Sequence, residues 1–229
     1  MHDDLSILLT NTRPPKDWDV SFWQRRGYKH VYHQSLLDVE FLAVQPLKVI
    51  PQAIVLTSSN AARALEKSDW DRSIPVYTVG KSTRFFAQSA GFTTCFTPSS
   101  TLYPSATQLI DWLKKNLTPK DGAVIFGCGN YIRHDVAEAL AEDGFETAKI
   151  ILYNTKAVGS FNEKIKLLLK NNVITTVAFN SEQALCAFVQ LCKANKVETQ
   201  DFHIIVPSRF IKGKAKELGL MKTSIQRKD

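Results

Sequence analysis

The stretch VIFGCGNYIRHDVAEALAEDGFETAKIILYNT, residues 124–155, decides the fold. It opens on a short apolar run and passes through the small residues Gly127-Cys128-Gly129-Asn130. Helical periodicity then continues to Gly144, and a second extended run, Ala148–Tyr153, closes the segment. Strand, polar loop, helix, glycine and strand in that order make a βα unit of a parallel sheet. Residues 7–39 repeat the grammar, with a strand from Ile7, a polar loop, a helix, Gly27 and the extended run Val31–Ser35. A second pair also matches. Leu56-Thr57-Ser58-Ser59-Asn60-Ala61 opens a helix as Phe179-Asn180-Ser181-Glu182-Gln183-Ala184 does, and each leads through a strand to a helix ending in Gly91-Phe92 or Gly219-Leu220. The chain reads as a duplicated α/β unit.

Working outward, apolar runs at Ser6–Thr10, Ala53–Thr57, Val76–Val79, Ala123–Phe126, Thr176–Phe179 and His203–Val206 are the remaining expected strands. Ser105 with Gln108, Ser160 with Glu163 and Asn180 with Gln183 have capping-box spacing and predict helix starts. At about 110 residues per unit, two domains are expected, with the ligand in a cleft between them. The stretches Leu36–Pro51 and Ala157–Gly159 read as connections from one domain to the other.

Composition bounds the function class. With 229 residues and 44% hydrophobic content the chain can bury a substantial core. No run approaches the roughly 18 apolar residues of a membrane helix, and Met1-His2-Asp3-Asp4 lacks a signal-peptide pattern, so the expected location is the cytoplasm. Cys95, Cys128, Cys186 and Cys192 form no CxxC pair and have no histidines at metal-ligand spacing, which predicts reduced, structural thiols and no metal site. The net charge of +7 and pI near 9.2 favour a polyanionic ligand or nucleic acid over a cation. Part of that excess is Lys212, Lys214, Lys216, Lys222, Arg227 and Lys228, which also read as a solvated helix face and chain end.

Dinucleotide and P-loop fingerprints are absent, as are HExxH and GxSxG. His134, beside Arg133 at an expected helix start, reads as a surface residue. What recurs is a strand end, a small polar loop and a helix N-terminus: Thr57-Ser58-Ser59, Gly80-Lys81-Ser82-Thr83, Gly129-Asn130 and Asn180-Ser181. Helix N-termini offer unsatisfied N–H groups and the positive dipole end, so several facing one cleft would hold several carboxylates. Each of these residues also reads as an ordinary cap. Tyr153, closing Ile150-Ile151-Leu152, reads either as a packed strand aromatic or as a hydroxyl that donates a proton.

At this point the residues resemble the uroporphyrinogen-III synthase family. The matching pieces run from Leu8-Leu9-Thr10 with Arg13-Pro14 through Leu56-Thr57-Ser58 with Asn60-Ala61 and Leu65. They continue with Val76-Tyr77-Thr78-Val79-Gly80 and Thr83, Gly91-Phe92, Gly129-Asn130 with Arg133, Gly144 and Tyr153-Asn154-Thr155. The resemblance covers nearly the whole chain. It implies two Rossmann-like or flavodoxin-like α/β domains with parallel sheets, joined by a two-stranded linker, the first domain being discontinuous. Carried over, residues 1–34 join 158–229, residues 35–157 form the second domain, and the linker strands lie near 31–38 and 148–157.

The implied reaction takes hydroxymethylbilane, a linear tetrapyrrole with eight carboxylates, loses its hydroxyl as water and closes the ring through a spiro intermediate that inverts the terminal pyrrole. The resemblance implies no cofactor, no metal, a monomer, and a small-molecule substrate with neither nucleic acid nor membrane as partner. It makes Tyr153 the proton donor to the departing hydroxyl. Substrate contacts are expected from Thr57, Ser58, Ser59, Gly80, Lys81, Ser82, Thr83, Gly129, Asn130, Ser181 and Ser208. Arg13 is expected to contact substrate too, and Arg133 to pair with a carboxylate or to make a structural salt bridge.

Departures concentrate in the last third, at Asn180-Ser181 and at Val206-Pro207-Ser208-Arg209. Pro207 has no N–H to give, so a backbone contact there is lost or shifted by one residue. Asn11-Thr12 lengthens the turn before Arg13-Pro14. Two other classes stay open on the residues alone. One is a two-domain protein that binds an anion without chemistry, excluded by turnover of a tetrapyrrole. The other is a nucleic-acid-binding module resting on Lys212-Gly213-Lys214-Ala215-Lys216, excluded by failure to bind DNA at moderate salt.

Overall fold

The computed structural model describes residues 5–48, 50–98 and 105–226; Met1–Asp4 and the tail residues Arg227 and Lys228 lie outside them. The fold is mixed α/β with parallel sheets, as the alternation of apolar runs and helical segments predicts. The chain divides into two compact units, Met1–Asp38 with Lys156–Asp229, and Val39–Thr155.

The first unit is built on a sheet of five strands. Its members are β1 (Ser6–Leu9), β2 (His30–His33), β9 (Thr176–Ala178), β10 (His203–Val206) and β11 (Thr223–Ile225), in the order β11-β10-β9-β1-β2. All four pairings are parallel. Apolar residues run without a break from Ile7 to Leu9 of β1 because both faces are covered, the usual state of a parallel sheet. One face carries Leu8, Val177, Ile204 and Val206 against helices α6 (Glu163–Lys170), α7 (Glu182–Asn195) and α8 (Arg209–Glu217). At its centre Phe188 meets Phe161, Phe179 and Phe202 edge-on. The opposite face, with Ile7, Leu9, Ala178 and Ile205, packs against Trp23 of α1 (Asp17–Gln24) and Tyr28.

The second unit holds a six-stranded sheet in the order β3-β8-β7-β4-β5-β6. Its strands are β3 (Leu37–Phe41), β4 (Ala53–Leu56), β5 (Val76–Thr78), β6 (Cys95–Phe96), β7 (Val124–Gly129) and β8 (Thr147–Ala157). The pairs β4/β5, β4/β7, β5/β6 and β7/β8 are parallel. Side chains alternate strictly. Ile54 and Leu56 enter a cluster with α2 (Ser59–Ala64) and α3 (Lys81–Ser89), whereas Ala53 and Val55 enter one with α4 (Ala106–Asn116) and α5 (Val136–Ala141).

Two of the expected capping-box starts need correction. The Ser105/Gln108 capping box opens α4 as expected, a feature contributing on the order of 1 kcal/mol. The α6 cap is Asn162, whose side chain accepts from the Ile165 N–H, so Ser160 lies outside the helix. The α7 cap is Ser181 and not Asn180, because only Ser181 Oγ reaches the Ala184 N–H. Gly127-Cys128-Gly129, expected as loop, is strand. A Cβ on Gly127 would lie 2.7 Å from Leu152 Cδ1 and 2.8 Å from Leu56 Cδ2, so the glycine lets two flanking leucines close over β7. The four cysteines are free thiols, and Cys95, Cys128 and Cys192 are buried.

Candidate functional site

Parallel pairing brings the C-terminal ends of β4, β5, β7 and β8 to one edge of the second sheet, where the following helices begin and where α/β sheets place their ligand sites. Thr57 and Ser58 leave β4, and Ser58 caps α2 by accepting the Asn60 N–H at 3.1 Å. Gly80 caps α3 with no side chain to cover its N–H groups. Thr83 is buried in the first turn of α3, while Lys81 and Ser82 are exposed. The two helix starts are tied together by Ser59 Oγ and Ser82 Oγ, 3.0 Å apart. Beneath them Thr78, fully buried, shares a hydrogen bond of 2.6 Å with Thr97 Oγ1 and donates to the Phe96 carbonyl at 3.0 Å.

Tyr153 reaches the same edge from β8. Register along β7 and β8 advances one residue at a time until Cys128 pairs with Ile151; the next step pairs Gly129 with Tyr153, leaving an extra residue in β8. Such a bulge bends the strand and re-aims a side chain. Its effect is direct. Leu152 and Tyr153, successive residues that regular pleating would send to opposite faces, are both buried in the cluster formed by Ile54, Leu56 and α2. The ring lies flat against Gly129, where an added Cβ would fall 2.6 Å from Cζ and 2.9 Å from the hydroxyl oxygen. Burial raises the pKa of the Tyr153 hydroxyl above its ordinary value, and the neighbouring Ser58 side chain draws it back in part. Cys128, on the adjoining strand, is pushed up to about 11 by burial and is not a thiolate at neutral pH.

Asn130 follows β7 without starting a helix, which corrects the expectation of a helix N-terminus at Gly129-Asn130. The helix begins six residues later. Its cap is Asp135, whose Oδ1 accepts the N–H groups of Ala137 and Glu138 and whose Oδ2 takes Lys149 Nζ at 2.7 Å. Arg133 is exposed in the intervening segment. The Asn130 side chain turns to β8 instead. Its Oδ1 accepts from Thr155 N–H at 2.9 Å and Thr155 Oγ1 at 3.2 Å, and its own N–H donates to the Tyr153 carbonyl at 3.0 Å.

The remaining expected residues belong to the first unit. Ser181 and Ser208 cap α7 and α8, accepting N–H groups of Ala184 and Ile211. Ser208 does so directly after Pro207. Arg13 pairs with Asp19 at 3.1 Å and lies over the Trp18 ring at 5.6 Å. Sequence reasoning passed over Asn11, whose Oδ1 accepts from Asn180 Nδ2 at 2.7 Å and whose carbonyl lies 2.9 Å from His33 Nε2. The signal was present in the two residues that lengthen this turn. Thr78, Thr97 and Thr155 were missed as partners because each contact joins residues far apart in sequence. Among the described residues no three His, Cys, Asp or Glu side chains group as metal ligands, and no helix is long and apolar enough to cross a membrane.

The family model for uroporphyrinogen-III synthase HemD matches residues 29–228. No curated protein matches the chain. Among solved structures, uroporphyrinogen-III synthetase from Helicobacter pylori superposes with a TM-score of 0.67 at 14% identity, over 98% of this chain and 93% of that one. A mutant uroporphyrinogen III synthase from Thermus thermophilus gives a TM-score of 0.57 at 12% identity, over 98% and 93%. At these identities the two structures speak for the fold, and the family model speaks for the family.

Proposed function

The chain belongs to the uroporphyrinogen-III synthase family, and from that premise we propose how its own residues close hydroxymethylbilane to uroporphyrinogen III. The enzyme is a cyclising lyase of tetrapyrrole biosynthesis: the substrate loses water, the terminal pyrrole is inverted through a spiro intermediate, and the ring closes. Tyr153 is the proton donor. As the C–O bond of the hydroxymethyl group breaks, its electron pair stays with oxygen, which takes the phenolic proton and departs as water. The proton released when the last pyrrole regains aromaticity restores the phenol. The observation that carries this reading is the buried Tyr153, placed by the bulge at the loop edge of the second sheet with its ring and hydroxyl against Gly129.

Substrate carboxylates are held by Thr57, Ser59, Gly80, Lys81, Ser82 and Thr83 at the starts of α2 and α3. The uncapped N–H groups of α3 and the Lys81 ammonium support that role. Gly129 and Arg133 of the same unit complete the candidate set there, and Arg13, Ser181 and Ser208 of the first unit are proposed as further contacts. Positioning supplies the larger part of the catalysis, since the free substrate closes spontaneously without inversion. The enzyme works as a cytoplasmic monomer on a free small molecule, and the basic surface serves a substrate of eight carboxylates instead of nucleic acid. In the last helix, Lys214 is paired with Glu217.

Incubation with freshly generated hydroxymethylbilane, followed by oxidation and chromatography, is expected to give predominantly type III uroporphyrin. Type I alone, from folded protein and competent substrate, refutes the reading. A pH profile refines it. Because burial lifts the Tyr153 pKa above 10, the phenol keeps its proton through the neutral range. The alkaline fall of kcat therefore lies above pH 10, and the stability gained by burying the neutral phenol is complete below pH 10 and is lost above it. Single-turnover rates from pH 7 to 11 check this, and a fall centred near pH 8 would assign the loss to another group.

A further inference from the structure

A bulge leaves a residue of the strand unpaired and disrupts the ladder, so the register of Tyr153 needs something to hold it. A one-residue slip of β8 would carry the ring to the opposite face of the sheet. The ladder between β7 and β8 also stops here, because β7 ends at Gly129 while β8 continues to Ala157. Along its other edge β8 is paired with β3, and on the β7 side, beyond Gly129, Asn130 meets the strand. Its backbone N–H holds the Tyr153 carbonyl at 3.0 Å, and its carboxamide meets the next peptide units of β8. The carboxamide oxygen accepts the Thr155 N–H at 2.9 Å and the Thr155 hydroxyl at 3.2 Å, while Nδ2 lies 3.4 Å from the Thr155 carbonyl. A side-chain amide has the donor and acceptor of a peptide group, so Asn130 continues the ladder for one step after its own strand has turned away. Tyr153 is thus bracketed. Its carbonyl and the peptide two residues on are fixed by one residue, and its ring is fixed by Gly129 and the core.

We infer that Asn130 is a positioning residue that holds the bulged strand and aims Tyr153, and that its side chain is not a ligand for a substrate carboxylate. The inference rests on Tyr153 being the proton donor. Its oxygen already has two donors from Thr155 and, as an acceptor, has nothing to offer an anion, while its Nδ2 is turned to the Thr155 carbonyl. The two roles make opposite demands on an aspartate at this position. Asp keeps the acceptor that Thr155 uses, whereas at a carboxylate-binding position it would repel the substrate and be worse than alanine.

The experiment is steady-state kinetics of type III formation for Asn130→Ala, Asn130→Asp, Tyr153→Phe and the double variant Asn130→Ala/Tyr153→Phe, with thermal melting to confirm folding. The expected result is a kcat loss of about tenfold or more for Asn130→Ala with KM nearly unchanged, and substantial recovery in Asn130→Asp. The double variant is expected to be no slower than Tyr153→Phe alone, because a residue acting through Tyr153 has nothing left to position. Raised KM with Asp worse than Ala would make Asn130 a substrate contact and overturn the inference, as would wild-type kcat in both Asn130 variants or additive losses in the double variant. Wild-type kcat in Tyr153→Phe has a different meaning, since it removes the proton donor itself.

Discussion

Replacing Tyr153 with phenylalanine is expected to lower kcat by about 10²- to 10⁴-fold, the range typical of a lost general acid. The ring, its burial and its contact with Gly129 all survive the change, since only the hydroxyl is removed. KM for hydroxymethylbilane is accordingly expected to stay within about twofold, the signature of an interaction made in the transition state alone. The stability change should be small, about 1 kcal/mol, because one hydroxyl's polar interactions are lost and no cavity larger than an oxygen is left. Rates must be read as type III isomer formed, since spontaneous closure to type I continues in the background. A phenylalanine variant with undiminished type III formation would take Tyr153 out of the chemistry and leave the geometry around it as packing.

Gly129→Ala should be nearly as damaging, without touching any group that reacts. The new methyl would fall 2.6 Å from Tyr153 Cζ, 2.7 Å from Cε2 and 2.9 Å from the hydroxyl oxygen. An aromatic ring wedged between strand and core has no flexible end to bend aside, so the ring must move bodily or β7 must separate from β8. A displacement on the order of 1 Å at a reacting group costs about 10²-fold in rate, and overpacking costs about 1–3 kcal/mol in stability. Gly127→Ala is the control. Its methyl would also meet atoms within 3 Å, but these are the terminal methyls of Leu152 and Leu56, which can rotate away. Comparable melting temperatures for the two variants with turnover lost only in Gly129→Ala would separate aiming of the phenol from general crowding; equal turnover would show that the ring tolerates displacement.

Legibility in the sequence followed the physics of burial. Strands β1, β4, β7, β9 and β10 lie inside sheets covered on both faces, so their apolar runs were continuous and readable. The edge strands β6, two residues long, and β11, Thr223–Ile225, carried no comparable run and were not foreseen. Helix starts at Ser58, Gly80 and Ser105 were read from capping chemistry, whereas the α6 and α7 caps were misplaced by two residues and one because other capping residue types stand close beside the true caps. Around Tyr153, the residue type and its place at the end of an apolar run were visible. The bulge was not, because it exists only as a mismatch between two strands, and neither was the bond from Asn130 to Thr155, 25 residues away.

The placement of β1 has a consequence for how the chain is made. This strand lies inside its sheet between β2 and β9, and Thr10 on its C-terminal side donates to the Ala178 carbonyl 168 residues further on. While a ribosome synthesises the polypeptide from its N-terminus, β1 and β2 emerge early yet lack their principal neighbour until most of the chain has followed. The unit Val39–Thr155, continuous in sequence, has all of its strands within itself apart from the first residues of β3 and the last of β8, and can collapse during that interval. Nascent β1, with apolar residues on both faces and an unpaired edge, is therefore exposed to aggregation and to chaperone capture until β9 has been made.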